Sequence, residues 1–129
     1  MGTEKEEKMH ALIKLRFTNP EIFFGPGIAG LLKEIDRCGN VREACEQCGF
    51  SYSKGWTIIK KCEERFGHCL VSRQPGGSSG GSASVTDKGK ALLAVYDALG
   101  AELDAFAEER FVELIKEYGL ASDKDKKSE

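Results

Sequence analysis

The chain has 129 residues, 40% of them hydrophobic and 31% charged, with a formal net charge of -2, which suits one small domain with a single core and excludes two. No apolar run approaches the ~20 residues that span a bilayer, and the charged start, Met1 to Lys8, has no apolar segment behind it, so neither a membrane span nor a signal peptide is expected. The slight acidity excludes an evenly basic nucleic-acid binder and shifts attention to where the charge lies: residues 38–73 carry six Lys or Arg against four Asp or Glu, and residues 90–118 carry three against seven.

From His10 to Phe17 the pattern alternates, with Ile13, Leu15 and Phe17 on one face and Lys14 and Arg16 on the other, the period of a half-buried strand. Asn19-Pro20 ends it. After Phe23-Phe24-Gly25-Pro26-Gly27, the apolar residues Ile28, Leu31, Leu32 and Ile35 recur at i, i+3, i+4 and i+7, and Gly39 stands where that helix would stop. Asn40 and Glu43 are spaced as a capping pair for a second helix with Val41, Ala44, Cys45 and Cys48 on its apolar stripe. That helix ends at Gly49, and Ser51 can cap a third running to about Phe66. So tight a turn forces two helices to cross steeply, which is a helix-turn-helix.

On a wheel, Tyr52, Gly55, Trp56, Ile58, Ile59, Cys62 and Phe66 fill one half of the third helix, and Ser53, Lys54, Thr57, Lys60, Lys61 and Arg65 the other. Glu63 falls on the apolar margin. Trp56, beside Ile59 and Phe66, is read as core rather than as a base-stacking aromatic, while the Tyr52 phenol, at the helix start, is placed to reach a phosphate. Cys69–Arg73 and Ser82–Val85 flank a glycine-rich loop and predict a hairpin in the position of a wing. Thr86 then caps a long helix to about Tyr118 whose apolar content includes Leu92, Leu99, Phe106 and Ile115. One small domain cannot cover that much apolar surface, and pairing with a second copy is the simplest outlet. Residues 1–9 and 119–129 are expected to be charged tails around a folded 10–118, with the last residues disordered.

Phe23-Phe24-Gly25-Pro26-Gly27, Ser51-Tyr52-Ser53-Lys54-Gly55-Trp56, Arg73-Gln74 with Gly76-Gly77 and Gly80-Gly81, and Thr86 with Gly89 occur in this order and spacing. Together they resemble the N-terminal DNA-binding domain of the ModE-type molybdate-responsive transcription regulators, over roughly residues 10–118. The resemblance implies a fold that is mainly α with a small β-wing, a LysR-type winged helix-turn-helix with a long C-terminal dimerisation helix over about 87–118, binding an inverted-repeat operator. Family members continue into a molybdate-binding region, whereas only a short charged tail follows Tyr118 here, so a stand-alone domain without molybdate binding is expected. Gly55 stands where the family usually has Ala, and Cys45 and Cys48 where it usually has Ala and Leu.

The expected DNA-binding residues are Ser51, Ser53, Lys54, Thr57, Lys60, Lys61 and Arg65 of the third helix, and Arg73, Gln74, Gly76 and Gly77 of the wing. Lys54 and Thr57 are placed to read base edges, and Lys60, Lys61 and Arg65 to meet phosphate. Arg73 and the glycine loop would lie along the backbone or in the minor groove; the loop lacks the Lys-Ser/Thr pair of a P-loop. Five cysteines, an odd number without a secretory signal, are read as reduced thiols in the cytoplasm, and Cys45, Cys48 and Cys62 as apolar filler. A zinc or redox site among them and His68 stays the alternative that a thiol- or metal-responsive switch would need. With two histidines and no nucleophile-base arrangement, no enzyme, catalytic residue, metal or cofactor is expected. The partners expected are double-stranded DNA and a second copy, with no membrane. In the other reading, the acidic last helix docks a separate effector-binding protein.

Overall fold

The computed structural model describes residues 8–74 and 81–121. Their order is β1 (Phe17–Thr18), β2 (Ile22–Phe24), α1 (Pro26–Cys38), α2 (Val41–Cys48), α3 (Tyr52–Phe66), β3 (Val71–Gln74), β4 (Ser82–Val85) and α4 (Asp87–Glu117). This is a winged helix-turn-helix followed by a long C-terminal helix. The contacts divide it into two units, Lys14–Asp97 and a second made of residues 8–13 with 98–121 among those described.

In the first unit the caps do most of the local work. Pro26 opens α1, and Gly39, at φ 73°, closes it by donating its N–H to the Ile35 carbonyl at 2.8 Å; that left-handed backbone is one a β-carbon would strain. One residue later Asn40 Oδ1 accepts from the Glu43 amide at 2.8 Å and starts α2. Gly49, at φ 79°, ends α2, and Ser51 Oγ accepts from the Lys54 amide at 3.1 Å to start α3. Between them the caps spend only three residues on the turn, which fixes the α2–α3 crossing. The core is drawn from every element but β1: Phe24, Leu31, Leu32, Ile35, Ile59 and Leu70 are fully buried. Tyr96 of α4 packs edge-on against Phe17 and Phe24 with ring centres 5.5 and 5.1 Å away, and its hydroxyl donates to the Leu15 carbonyl at 3.1 Å.

The expected strand over His10–Phe17 shrinks to Phe17–Thr18. A ladder extends only as far as its partner, and β2, confined between the Asn19-Pro20 turn and the start of α1, offers Ile22 to Thr18 and Phe24 to Phe17. Alternation upstream has no strand to pair with among the described residues, and Ile13 is exposed. The wing strands β3 and β4 pair antiparallel, Val71 with Val85 through Gln74 with Ser82; Gly76 and Gly77 lie outside the described residues. Thr86 begins α4 as the spacing predicts, its Oγ1 accepting from the Gly89 amide at 3.0 Å and donating to the Cys69 carbonyl at 2.7 Å.

The second unit contains the rest of α4 and the segment before Lys14. His10 Nδ1 lies 3.4 Å from Glu108 Oε1, and Arg110 pairs with Glu113 at 2.9 Å and Glu117 at 3.3 Å. Those two carboxylates hold the Arg110 guanidinium above its ordinary pKa, mainly through the hydrogen bond that Arg110 donates to Glu113. Phe106, Val112 and Leu120 are exposed here.

Candidate nucleic-acid interface

α3 is held by one face. Gly55, Ile59 and Cys62 are buried in the core, Gly55 beside Cys45 of α2 and Leu31 of α1, and the opposite arc, Ser53, Lys54, Thr57, Lys60 and Lys61, is exposed. Some of its polar capacity is already used. Ser51 Oγ serves the helix cap, and the Thr57 hydroxyl donates to the Ser53 carbonyl at 3.0 Å, leaving its oxygen as acceptor and its methyl free. Lys60 Nζ stands 4.0 Å from Glu63 and 5.6 Å from the Trp56 ring centre. Neither Lys54 nor Lys61 pairs with a carboxylate among the described residues.

Arg65 is placed differently from the rest of the arc. It is half-buried, its Nη2 pairs with Glu21 at 3.0 Å, and its carbonyl accepts from Asn19 Nδ2 at 2.9 Å. The end of α3 is therefore tied to the β1–β2 turn, and a phosphate would have to compete with Glu21 for this guanidinium.

Trp56 is not a fully buried core residue. It is half-buried, packed against the core on one side, and the Arg73 guanidinium lies 4.8 Å above its ring. Strand parity explains the contact: Arg73 is two residues from buried Val71 and opposite buried Ala83, so it points to the inner side of the wing. Gln74, on the other face, is exposed and paired with Ser82.

Two side chains that the wheel left unexplained or unnoticed organise this region. Glu63 sits on the apolar margin because its Oε2 accepts from the Leu70 and Val71 amides at 2.8 and 3.3 Å, fastening the first wing strand to α3. Arg42, in the first turn of α2, stacks 4.0 Å above the Tyr52 ring. Glu63 carried a signal, a charged residue among apolar neighbours; Arg42 carried none, because its partner comes from the next helix.

The cysteines are buried or partly buried except Cys69, and none is in a disulfide. Burial pushes the Cys45 and Cys48 thiols up, and it pushes Cys62 up to about 12 with the neighbouring Glu63 adding to it. Among the described residues, no three of His, Cys, Asp or Glu converge as metal ligands, and no helix is long and apolar enough to cross a membrane.

Residues 30–90, from within α1 to the first turn of α4, match the bacterial regulatory helix-turn-helix protein, lysR family. This stretch is a LysR-type helix-turn-helix domain. The LysR-type domain has homologues among the ModE regulators. The DNA-binding transcriptional dual regulator ModE of Escherichia coli K12 is 34% identical over 79 residues, 61% of this chain and 30% of that protein. The molybdenum-pterin-binding protein MopA of Rhodobacter capsulatus is 38% identical over 69 residues, 54% of this chain and 26% of that one. The chain thus spans less than a third of the length of these relatives. A solved structure, ArgP from Mycobacterium tuberculosis, is 25% identical with a TM-score of 0.46, covering 71% of this chain and 31% of that one.

Proposed function

We propose that this chain is a cytoplasmic transcription regulator that binds double-stranded DNA sequence-specifically as a homodimer, at an inverted-repeat operator. The observation that carries the reading is the exposed arc of Ser53, Lys54, Thr57 and Lys61 on the second helix of a LysR-type helix-turn-helix. An α-helix fits the roughly 12 Å major groove, so Lys54 and Thr57 would face base edges while Lys60 and Lys61 meet phosphates. Ser51 and Ser53 lie at the helix start, where hydroxyls suit the backbone. Arg65 joins by exchanging Glu21 for phosphate, and Arg73, Gln74, Gly76 and Gly77 follow the flanking backbone.

In this reading residues 10–118 are the working domain and 87–118 the dimerisation helix. Support comes from the apolar side chains that α4 leaves exposed, Val95, Leu99, Phe106 and Val112, more than a lone helix ordinarily shows to water. The paired recognition helices would then sit about 34 Å apart in successive major grooves. The same surface, with seven acidic residues over 90–118, suits the second reading, docking of a separate effector-binding protein.

The test is selection of bound duplexes from a random library by the purified chain, then affinity against salt for the winner. An inverted repeat with half-sites one helical turn apart and a steep loss of affinity with salt is the expected result. No enrichment, with a stoichiometric protein partner in a native pull-down, would replace this reading with the docking one.

A further inference from the structure

The start of α2, the first turn of α3 and the loop-side end of the β3–β4 ladder border an open cleft of about 90 Å³, whose polar lining is Asn40, Arg42, Tyr52, Arg73 and Ser82. Among the described residues no carboxylate lines it. Its two guanidiniums are both held by their faces, Arg42 over Tyr52 at 4.0 Å and Arg73 over Trp56 at 4.8 Å. A cation–π stack orients a guanidinium without using its five N–H donors. Neither arginine pairs with a carboxylate among the described residues. The cleft therefore has two oriented cations and, among the described residues, no anion to satisfy them.

Size narrows the ligand. The volume is well above the roughly 10–15 Å³ that one water needs and well below the roughly 300 Å³ at which pockets for drug-sized molecules begin. One tetrahedral oxyanion fits that range. We infer that this cleft is an oxyanion seat, holding a single phosphate-type group between Arg42 and Arg73 with the Tyr52 hydroxyl as a further donor. Guanidinium forks match such oxygens bidentately, and the amino end of α2 adds its partial positive charge. Asn40 Oδ1 is occupied by the Glu43 amide, so Asn40 contributes only its NH2 group.

The group has two possible sources, a phosphodiester of bound duplex or a free oxyanion, and only the first rests on the DNA-binding reading above. The test uses the full chain in two arms. In one, inorganic phosphate is titrated against chloride at constant ionic strength while the arginine Nε–H resonances are followed. Arg42 and Arg73 should shift saturably with phosphate alone, and Arg42→Gln should abolish the Arg73 response. In the other, Arg42→Gln is compared with wild type on the selected duplex and on a scrambled one. The expected result is about tenfold or greater loss on both, with a salt slope shallower by about one.

Phosphate shifts without any change in duplex affinity would assign the seat to a free oxyanion. Absence of shifts together with unchanged affinity and slope would overturn it. If the wild type binds no duplex at all, the regulator reading fails, and the phosphate titration decides the seat alone.

Discussion

Gly55 of α3 faces Cys45 of α2 so closely that a β-carbon at Gly55 would collide with the Cys45 sulfur. Both residues are buried, and the Leu31 side chain closes the same space, 3.8 Å from where that carbon would sit. The two departures noted in the sequence at positions 45 and 55 are thus one volume shared differently: the thiol occupies what an alanine methyl would fill. Glycine inside a helix costs about 1 kcal/mol relative to alanine, and here the cost comes with a packed sulfur.

Gly55→Ala should therefore destabilise despite its better helix propensity, by about 1–3 kcal/mol, as overpacking does. Cys45→Ala alone leaves a small void and is also expected to destabilise. The double variant removes the collision and regains the propensity, so it should lie within about 1 kcal/mol of wild type. Urea unfolding of the four proteins measures this, and strictly additive effects would refute the shared volume.

Glu63 gives a second test at the base of the wing. Its side chain is only 14% exposed, and one carboxylate oxygen holds two amides of the wing's leading segment. Glu63→Ala strands those amides and should cost about 2–3 kcal/mol, whereas Glu63→Gln keeps an acceptor and should cost about 1 kcal/mol. Equal, small losses for both in thermal unfolding would mean that the carboxylate is not what fastens the wing.

These two cases also show where sequence reasoning stops. The three helices of the helix-turn-helix were legible because their limits are local: Gly39, Asn40, Gly49 and Ser51 act within four residues of themselves. The strand over His10–Phe17 was overextended because alternation describes a face, whereas a ladder needs a partner of equal length. Arg73 on the inner side of the wing followed from its parity with Val71 and could have been read. Arg42 over Tyr52 could not, since the steep α2–α3 crossing sets their approach and neither helix encodes it alone.

Burial governs the cysteines. With thiols held protonated at neutral pH, Cys45, Cys48 and Cys62 should react slowly, since the thiolate is the nucleophile. Exposed Cys69 should be alkylated first by iodoacetamide at pH 8 and Cys62 last, as read by peptide mass mapping. The folded chain keeps the Cys62 proton up to about 12, while the unfolded chain gives it up near the ordinary value of 9.0. The stability linked to that proton is complete below pH 9 and is lost as pH rises towards 12. Wild type should therefore lose more Tm between pH 8 and pH 10.5 than Cys62→Ala does; parallel losses would contradict the assignment.

On α4, Phe106 is 66% exposed, so replacing it should leave the isolated fold intact. If it lies in a dimer seam, Phe106→Asp forfeits about 1.5–3 kcal/mol of apolar burial per copy, raising the dimer dissociation constant tenfold or more. Sedimentation equilibrium reads this directly. A wild type that stays monomeric at high concentration would remove α4 as a self-association element.

The recognition arc provides the sharpest separation of roles. Lys54 lies in the first turn of α3 and Lys61 two turns further along, both exposed and neither tied to a carboxylate among the described residues. Removing them should leave the unfolding midpoint within about 0.5 kcal/mol of wild type, as surface substitutions do. Their effects on binding should differ in kind. Lys61→Ala, losing the proposed phosphate contact, should weaken all duplexes alike and reduce the salt slope by about one, whereas Lys54→Ala, losing the proposed base contact, should cost about 1–3 kcal/mol and relax discrimination at one position of each half-site. The folded double variant should bind the operator at least tenfold more weakly. Normal affinity in that variant would show that α3 does not carry the recognition, whatever its place in the helix-turn-helix.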